Sequence, residues 1–279
     1  METGFPQADA EHDFLRTRRR QVLSRLASWL RREPDDVSDI LPFGEVVAAL
    51  GRTGERRLGL QVIALESIVG SVDRTKDFDR SFRPRTPRTR ERWERLARAQ
   101  RRGETIPPID VYRVGGLHFV RDGHHRVSVA IALNLRSIEA RVTEVTTKID
   151  PNGIVHRGDL ITKDLRRVFV DRVPLRGRAL ESIEVADAWA YAELSQAVEA
   201  WGFRLMQHES RYLDRETVAR RWWSEEYKPV VRMLRQADLI GDRSDADAYL
   251  QLACQRYRLL RTHRWDDEVV DQLRAHPTA

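Results

Sequence analysis

One short segment constrains the fold of this chain more than any other. Residues 120–130 run Val-Arg-Asp-Gly-His-His-Arg-Val-Ser-Val-Ala. They follow a brief apolar run, 117–120, whose length and composition are typical of a buried strand. Gly123 can adopt backbone angles closed to other residues, and the apolar residues after it recur at helical spacing. The segment therefore predicts a buried strand, a tight turn and a helix.

The start of this predicted helix has the chemistry of an anion site. The first amides of a helix have no partner inside it, and the positive end of the helix dipole lies there. We therefore expect phosphate binding at four residues: Gly123, His124, His125 and the forked guanidinium of Arg126. Asp122 is a candidate for catalysis, with helix capping as its structural alternative. Adjacent histidines point apart on a regular helix, so no metal site is predicted.

Length and composition limit the class of protein. A chain of 279 residues with 41% apolar and 33% charged residues is typical of a soluble globular protein with two domains. The sequence has no apolar run of membrane-spanning length and no basic, apolar signal segment, so we expect a cytoplasmic protein without a membrane partner. The single cysteine, Cys254, excludes an internal disulfide, and its apolar neighbours predict that it is buried.

Positive charge is concentrated in one segment. The chain carries a net charge of +6, and residues 74–102 contain twelve arginines and lysines against four carboxylates. This excess predicts attraction of phosphates, either those of a nucleotide or those of DNA along the whole segment. Four of its cations are the candidates for a nucleotide: Lys76, Arg80, Arg83 and Arg85. The alternative is a solvated face whose cations pair with carboxylates elsewhere.

The apolar pattern predicts an α/β (α+β) chain in three parts. Residues 1–50 form an N-terminal helical segment, 51–148 a mixed-sheet domain and 149–279 an all-helical domain. We expect the last part to support homo-oligomerisation or partner contacts. The predicted helices cover 13–32, 38–50, 91–100, 124–133, 187–200, 214–239, 244–263 and 265–274, and the predicted strand regions cover 58–72, 109–114, 117–120 and 138–145.

Individual residues of the predicted helical part allow more detailed predictions. Asp214 is predicted to cap the helix over 214–239, and Pro229 to kink or divide it. Four tryptophans are predicted to pack in a core and not to stack on bases: Trp201, Trp222, Trp223 and Trp265.

The order of these elements resembles a known superfamily. A strand, a basic segment, a helix, the Pro-Pro-Ile-Asp-Val-Tyr strand at 107–112, a hairpin and the motif Asp-Gly-His-His-Arg-Val-Ser-Val-Ala at 122–130 are similar to the ParB N-terminal/sulfiredoxin-like superfamily. The resemblance covers residues 58–146 and implies a ParB/sulfiredoxin-like mixed-sheet domain. It implies no single activity, because partition proteins, disulfide-repair enzymes, free-serine kinases and proteins labelled nucleases share this fold.

The motif distinguishes the branches of the superfamily. Sulfiredoxins have their catalytic cysteine where His124 stands, so sulfiredoxin activity is excluded. Partition proteins have the motif Gly-Glu-Arg-Arg-x-Arg-Ala, of which this chain keeps Gly123 and Arg126 while His124, His125 and Ser128 replace three other positions. The form Asp-Gly-His-His-Arg is most similar to the free-serine-kinase branch.

That branch implies roles for individual residues. Asp122 would be the catalytic base with His124 beside it, and Arg126 and the turn would hold phosphates with help from His125. An upstream carboxylate would assist, and the candidates are Glu66, Asp73 and Asp77. The implied cofactor is ATP, ADP or CTP with Mg²⁺. Three functions are thus expected: nucleotide-phosphate binding, transfer of a phosphoryl group to a small molecule, and a DNA-associated partition or regulatory role.

Overall fold

The computed structural model describes residues 6–30, 39–86 and 90–276, and it has a mixed α/β architecture. The chain divides into two compact units, Met1–Asp164 and Leu165–Ala279. The elements of the first unit are, in chain order, α1 (Pro6–Leu30), β1 (Leu41–Pro42), α2 (Phe43–Leu50), β2 (Arg52–Ala64), a 3₁₀ turn (Leu65–Ser67), β3 (Ile68–Ser71), α3 (Arg90–Arg101), β4 (Ile109–Val114), β5 (Leu117–Asp122), α4 (His124–Ala132) and β6 (Ser137–Thr147). Helix α5 (Asp159–Arg172) spans the division.

The first unit is built on a six-stranded sheet in the order β1-β3-β5-β4-β6-β2. It is mixed, as the sequence predicts: β4 pairs with β5 antiparallel and with β6 parallel. Side chains that alternate along these strands enter the core on one face, where Val111 and Val142 pack with Val127 and Ala130 of α4. The helix that carries the Asp-Gly-His-His-Arg motif is therefore fixed directly on the sheet.

The tract predicted as strand over 58–72 contains two strands. Strand β2 pairs with β6 at one edge of the sheet, whereas β3 lies between β1 and β5. The 3₁₀ turn at Leu65–Ser67 separates them. Apolar periodicity cannot locate such a break, because both strands and the buried Leu65 of the turn contribute apolar residues.

The N-terminal residues differ in part from the prediction. Helix α1 begins at Pro6, earlier than the predicted 13, and the last two predicted residues, Arg31 and Arg32, lie outside the described residues, as does Ser38. Strand β1 pairs with β3, so the sheet begins before residue 51.

A small cluster joins α1, α3 and α4. The rings of Phe14 and Trp93 meet edge to face with centres 5.6 Å apart, and Val129 belongs to the same buried cluster. The indole Nε1 of Trp93 also donates to Ser128 Oγ at 2.9 Å. Helix α3, which carries part of the basic segment, is thus held beside the middle of α4.

The second unit is helical and packs around aromatic side chains. Its elements are α6 (Arg178–Glu181), α7 (Ala190–Glu209), α8 (Arg215–Arg221), a π-helical turn (Trp222–Tyr227), α9 (Lys228–Gln236), α10 (Asp245–Leu260) and α11 (Asp267–Ala275). Asp214 caps α8 by accepting from the backbone amide of Thr217 at 2.8 Å, as predicted. The widened turn precedes Pro229, which lacks the amide that a regular helix needs there. Trp222 is fully buried, which confirms its assignment to the core.

The burial predicted for Cys254 is wrong. The cysteine is exposed, because α10 turns Tyr249, Leu252 and Arg256 toward the core and Cys254 away from it. Among the described helices, none combines the length and apolarity needed to cross a bilayer.

Candidate functional site

The predicted turn has the geometry that the site requires. Gly123 has φ 105°, ψ 19° and occupies the N-cap position of α4, as expected for the glycine. A Cβ on this residue would lie 2.4 Å from Cγ2 of Ile109, so a side chain is excluded by contact as well as by backbone angle. Asp122 does not cap the helix: no side-chain cap bond is formed at this end of α4. Its carboxylate instead contacts the guanidinium of Arg126.

Arg126 holds the turn together. One of its terminal nitrogens, Nη1, donates to the carbonyl oxygens of Pro107 at 2.9 Å and Pro108 at 2.6 Å, and the other, Nη2, contacts Asp122. The side chain is largely buried. Arg126 therefore connects the residues before β4, the end of β5 and the first turn of α4, and protein atoms already accept from three of its four terminal N–H groups.

Five arginines surround a cleft of about 390 Å³ at this turn. Helix α3 supplies two of them, and the others come from the loop after β3, from α4 and from β6. They are Arg74, Arg92, Arg95, Arg126 and Arg141. The carboxylates that line the cleft are Asp110 and Asp122. Within the part of the chain that the structure describes, Arg92 and Arg95 have no carboxylate partner. The cleft thus has an excess of positive charge beside the amide-rich end of α4.

The two histidines lie under this cleft and have different partners. The Ser71 hydroxyl lies 2.7 Å from Nε2 of His124 and accepts the Arg74 amide at 3.1 Å. The Ser71 hydroxyl therefore links the backbone amide of Arg74 to the imidazole of His124. His124 stacks on Phe78, whereas His125 meets the same ring edge to face, with centres 5.3 Å apart. The Nδ1 atom of His125 is buried and has no hydrogen-bond partner in the described structure.

Both histidines are neutral near pH 7. Burial lowers the pKa of His124 to about 4, with a further contribution from the positive charge of Arg74. Burial also lowers the pKa of His125 to about 4, and the cations Arg92 and Arg74 act in the same direction. Any positive charge offered to a ligand in this cleft therefore comes from the arginines.

The cations named from the sequence lie elsewhere. Arg83 donates to Asp79 at 2.8 Å, and Arg85 contacts Asp39. Neither they nor Lys76 and Arg80 line the cleft. The arginines that do line it from this segment, Arg74, Arg92 and Arg95, were missed as individual ligands. Their signal was present in the sequence, because Arg92 and Arg95 are three residues apart and so share a face of the predicted helix.

The carboxylates named from the sequence as partners of Asp122 are not the ones that line the cleft. Glu66 is exposed in the 3₁₀ turn and does not line the cleft. Asp73 and Asp77 lie near the histidines, since their charges partly oppose the fall in the pKa of His124 and His125 respectively. The carboxylate that shares the cleft with Asp122 is Asp110, its register partner on β4. Sequence reasoning missed it inside the Pro-Pro-Ile-Asp-Val-Tyr strand.

Comparison with known proteins gives limited similarity. The chain is similar to the crystal structure of sulfiredoxin from Arabidopsis thaliana, with 23% identity and a TM-score of 0.25 over 31% of this chain and 86% of that one. It is also similar to the C2221 form of a Pnob8-like ParB-N domain, with 12% identity and a TM-score of 0.22 over 80% of this chain and 83% of that one. No family model matches the chain, and neither does any curated protein.

Proposed function

We propose that this protein binds the phosphate groups of a nucleotide in the arginine cleft at the start of α4. The observation that carries the proposal is the pair Arg92 and Arg95, which face the cleft without a carboxylate partner among the described residues. An arginine left without an anion in a concave site gains most from one that a ligand brings. The volume of about 390 Å³ is within the usual range for a small-molecule site.

The net charge of the cleft favours an anionic ligand. Five arginines oppose two carboxylates, and the two histidines contribute no charge near neutral pH. Helix α4 adds the partial positive charge of its N-terminal end. The buried Nδ1 of His125, which has no partner in the described structure, is a further group that a ligand or an ordered water would satisfy.

Isothermal titration with ATP, ADP and CTP, each with and without Mg²⁺, tests the proposal. We expect saturable binding of at least one nucleotide, weakened about a hundredfold or more in the Arg92→Ala/Arg95→Ala double variant, because each lost charged hydrogen bond to phosphate is worth about 1.5 kcal/mol or more. Arg98→Ala is the matched control, since Arg98 lies on the same helix but does not line the cleft. Equal affinities in the double variant and the wild type would overturn the proposal.

A second candidate, phosphoryl transfer, is favoured by one observation: Asp110 and Asp122 are register partners on adjacent strands and both line the cleft. Two carboxylates fit Mg²⁺, which usually takes one or two of them together with phosphate oxygens. Bound there, the ion would neutralise charge on the transferred group. Either carboxylate could accept the proton of an attacking hydroxyl.

ADP release from ATP, measured with a coupled assay, tests this second candidate, with an added small hydroxylated compound or water receiving the phosphoryl group. We expect Asp122→Asn or Asp110→Asn to reduce release at least a hundredfold while nucleotide affinity stays within about fivefold. Full activity in both variants would exclude these carboxylates as the base.

DNA association through residues 74–102 stays a prediction from the sequence, and residues 87–89 of this segment lie outside the described structure. Several cations of the segment pair with carboxylates: Arg83 with Asp79, Arg85 with Asp39, Arg90 with Glu94 and Arg101 with Asp13. These pairs reduce the charge available to an extended polyanion, which favours the compact cleft over a long DNA contact.

A further inference from the structure

A second and larger cavity lies on the opposite face of the sheet from α4. It encloses about 730 Å³ and is formed by β2, β6, β4 and β5. Tyr112 and Asp110 alternate along β4 with the buried Ile109 and Val111, so they project onto this face. We call it the sheet-face cavity.

A β-bulge gives the cavity its charge. In a regular strand Arg57 and Leu60, three residues apart, would point to opposite faces. The register shift between Arg57 and Gly59 inserts Leu58 as an extra residue, and Arg57 then pairs with Thr143 while Leu60 pairs with Arg141. Both side chains therefore join the same face, and Leu58 packs against the core instead. Gly59, with φ +82°, allows the bulge.

The lining combines apolar surface with three arginines, Arg57, Arg121 and Arg141, and two carboxylates, Asp110 and Glu139. Within the described structure, Arg57 and Arg121 line the cavity and have no carboxylate partner. Arg121 lies 5.9 Å from the centre of the Tyr112 ring, whose other contact is the stacked ring of Phe43 at 4.6 Å. Leu60 is 60% exposed in the wall. Such a lining fits a ligand with an apolar body and an anionic group of its own.

The sheet-face cavity and the arginine cleft are neighbours. Pro108, Asp110 and Arg141 line both of them, and Arg141 lies 3.8 Å from Asp110. An occupant of one cavity would therefore lie beside an occupant of the other, with Asp110 between them. Two adjoining sites that share a carboxylate are the arrangement that group transfer between two bound molecules needs.

We propose that the sheet-face cavity is a second binding site, which takes a small organic anion with an apolar body and a carboxylate or phosphate group. The site itself does not depend on the proposed function. The use of this site by a reaction partner depends on the proposed function, since that use requires a nucleotide in the arginine cleft.

Amide chemical shifts of the deuterated, ¹⁵N-labelled full chain test the site with three probes: phenyl phosphate, benzoate and inorganic phosphate. We expect phenyl phosphate or benzoate, or both, to shift the amides of Gly59, Tyr112 and Thr143, with affinity at least tenfold weaker in Arg57→Ala/Arg121→Ala. Both arginines are exposed, so the fold should tolerate their loss. A response to only one organic probe would identify the anionic group. Arg56→Ala is the matched control, because Arg56 is adjacent on β2 and pairs with Glu144.

The proposed second site would be overturned if neither organic probe shifted these amides. It would also be overturned if the double variant bound the probes with the affinity of the wild type. Inorganic phosphate reports separately on the arginine cleft through the amide of Gly123. The proposed function would be rejected if neither inorganic phosphate nor a nucleotide bound in the arginine cleft. If an organic probe still bound at the sheet face in an arginine-dependent way, the second site would remain supported.

Discussion

Both units bury titratable side chains, but the surroundings of these groups differ. In the second unit the carboxylate of Glu226 accepts from Nε1 of Trp265 at 3.0 Å, and the guanidinium of Arg256 lies 4.1 Å from the centre of the Trp265 ring. In the first unit His125 keeps an unpartnered Nδ1, within the described structure, next to a cleft of unpaired arginines. Lack of a partner alone does not distinguish the units, because Nε of Arg256 and the Tyr227 hydroxyl are also buried without one in the described structure. The difference is that His125 lies beside a concave, arginine-lined cleft, which indicates a ligand site.

The largest expected effect of this difference is in the response to acid. Burial lowers the pKa of His118, His124 and His125 to about 4. The unfolded chain binds protons on these residues near pH 6.5, so their stabilising contribution is complete above that pH. It is lost as the pH falls toward 4, by up to about 3 kcal/mol for each histidine. Glu226 acts in the opposite direction, because burial raises its pKa and protonation then removes an unfavourable buried charge.

Hydrogen exchange followed by mass spectrometry at pH 7 and pH 4.5, corrected for intrinsic rates, measures this response in each unit. We expect protection to fall more in β5 and α4 than in α9 and α10. His118→Phe is the control, because both ring nitrogens of His118 are buried without partners in the described structure and an apolar ring fits there. This variant should lose less stability on acidification than the wild type. Equal losses in both units would contradict the comparison.

The next effect is the loss of the buried cation in the second unit. Arg256→Leu should lower the free energy of unfolding by about 3 kcal/mol, because it removes the stronger of the two positive charges, Arg256 and Arg204, that act on the buried Glu226 carboxylate. Urea denaturation measures the loss, and nucleotide affinity in the first unit should stay within about twofold. Glu226→Gln retains an acceptor for Trp265 and should cost less. A loss below about 0.5 kcal/mol for Arg256→Leu would show that this network does not stabilise the unit.

Sequence reasoning predicted the strand, turn and helix at Gly123 because local rules determine them. A glycine between an apolar run and a helical pattern restricts the backbone strongly, and Asp214 as a helix cap is a local feature of the same kind. The charged half of β2, by contrast, was not predicted as strand. Its residues 52–57 are mostly polar and exposed at the sheet edge, so they show no apolar alternation.

The ligands of the cleft depend on contacts between distant residues. Asp110 is brought to Asp122 by strand pairing, and Arg92 and Arg95 are brought to α4 by the packing of Trp93 on Ser128. No spacing rule within a single segment reports such contacts. The net charge of the segment 74–102 was informative, but which of its cations face a ligand is decided by the tertiary structure.

A smaller effect is expected from a side chain at the turn. Gly123→Ala should lower the free energy of unfolding by about 2 kcal/mol, since alanine is strained at φ 105° and its Cβ would meet Ile109. It should also weaken nucleotide binding. Gly103→Ala is the control, because Gly103 also has a positive φ, +69°, but its Cβ would meet open space. Thermal denaturation of the two variants separates the cost of the contact with Ile109 from the cost of placing alanine at a positive φ. Equal losses of stability in the two variants would exclude a contribution from the contact.

The smallest effect distinguishes the two roles of Arg126. If it mainly connects the turn to Pro107 and Pro108, Arg126→Lys should lower the free energy of unfolding by about 1 kcal/mol, because lysine cannot replace the forked donor. Nucleotide affinity should then fall less than in Arg92→Ala/Arg95→Ala, since the unpaired arginines of α3 remain. Urea denaturation and titration calorimetry on the same preparation give both quantities. A fall in affinity as large as that of the double variant, with stability unchanged, would instead make Arg126 a direct phosphate ligand that exchanges Asp122 for the nucleotide.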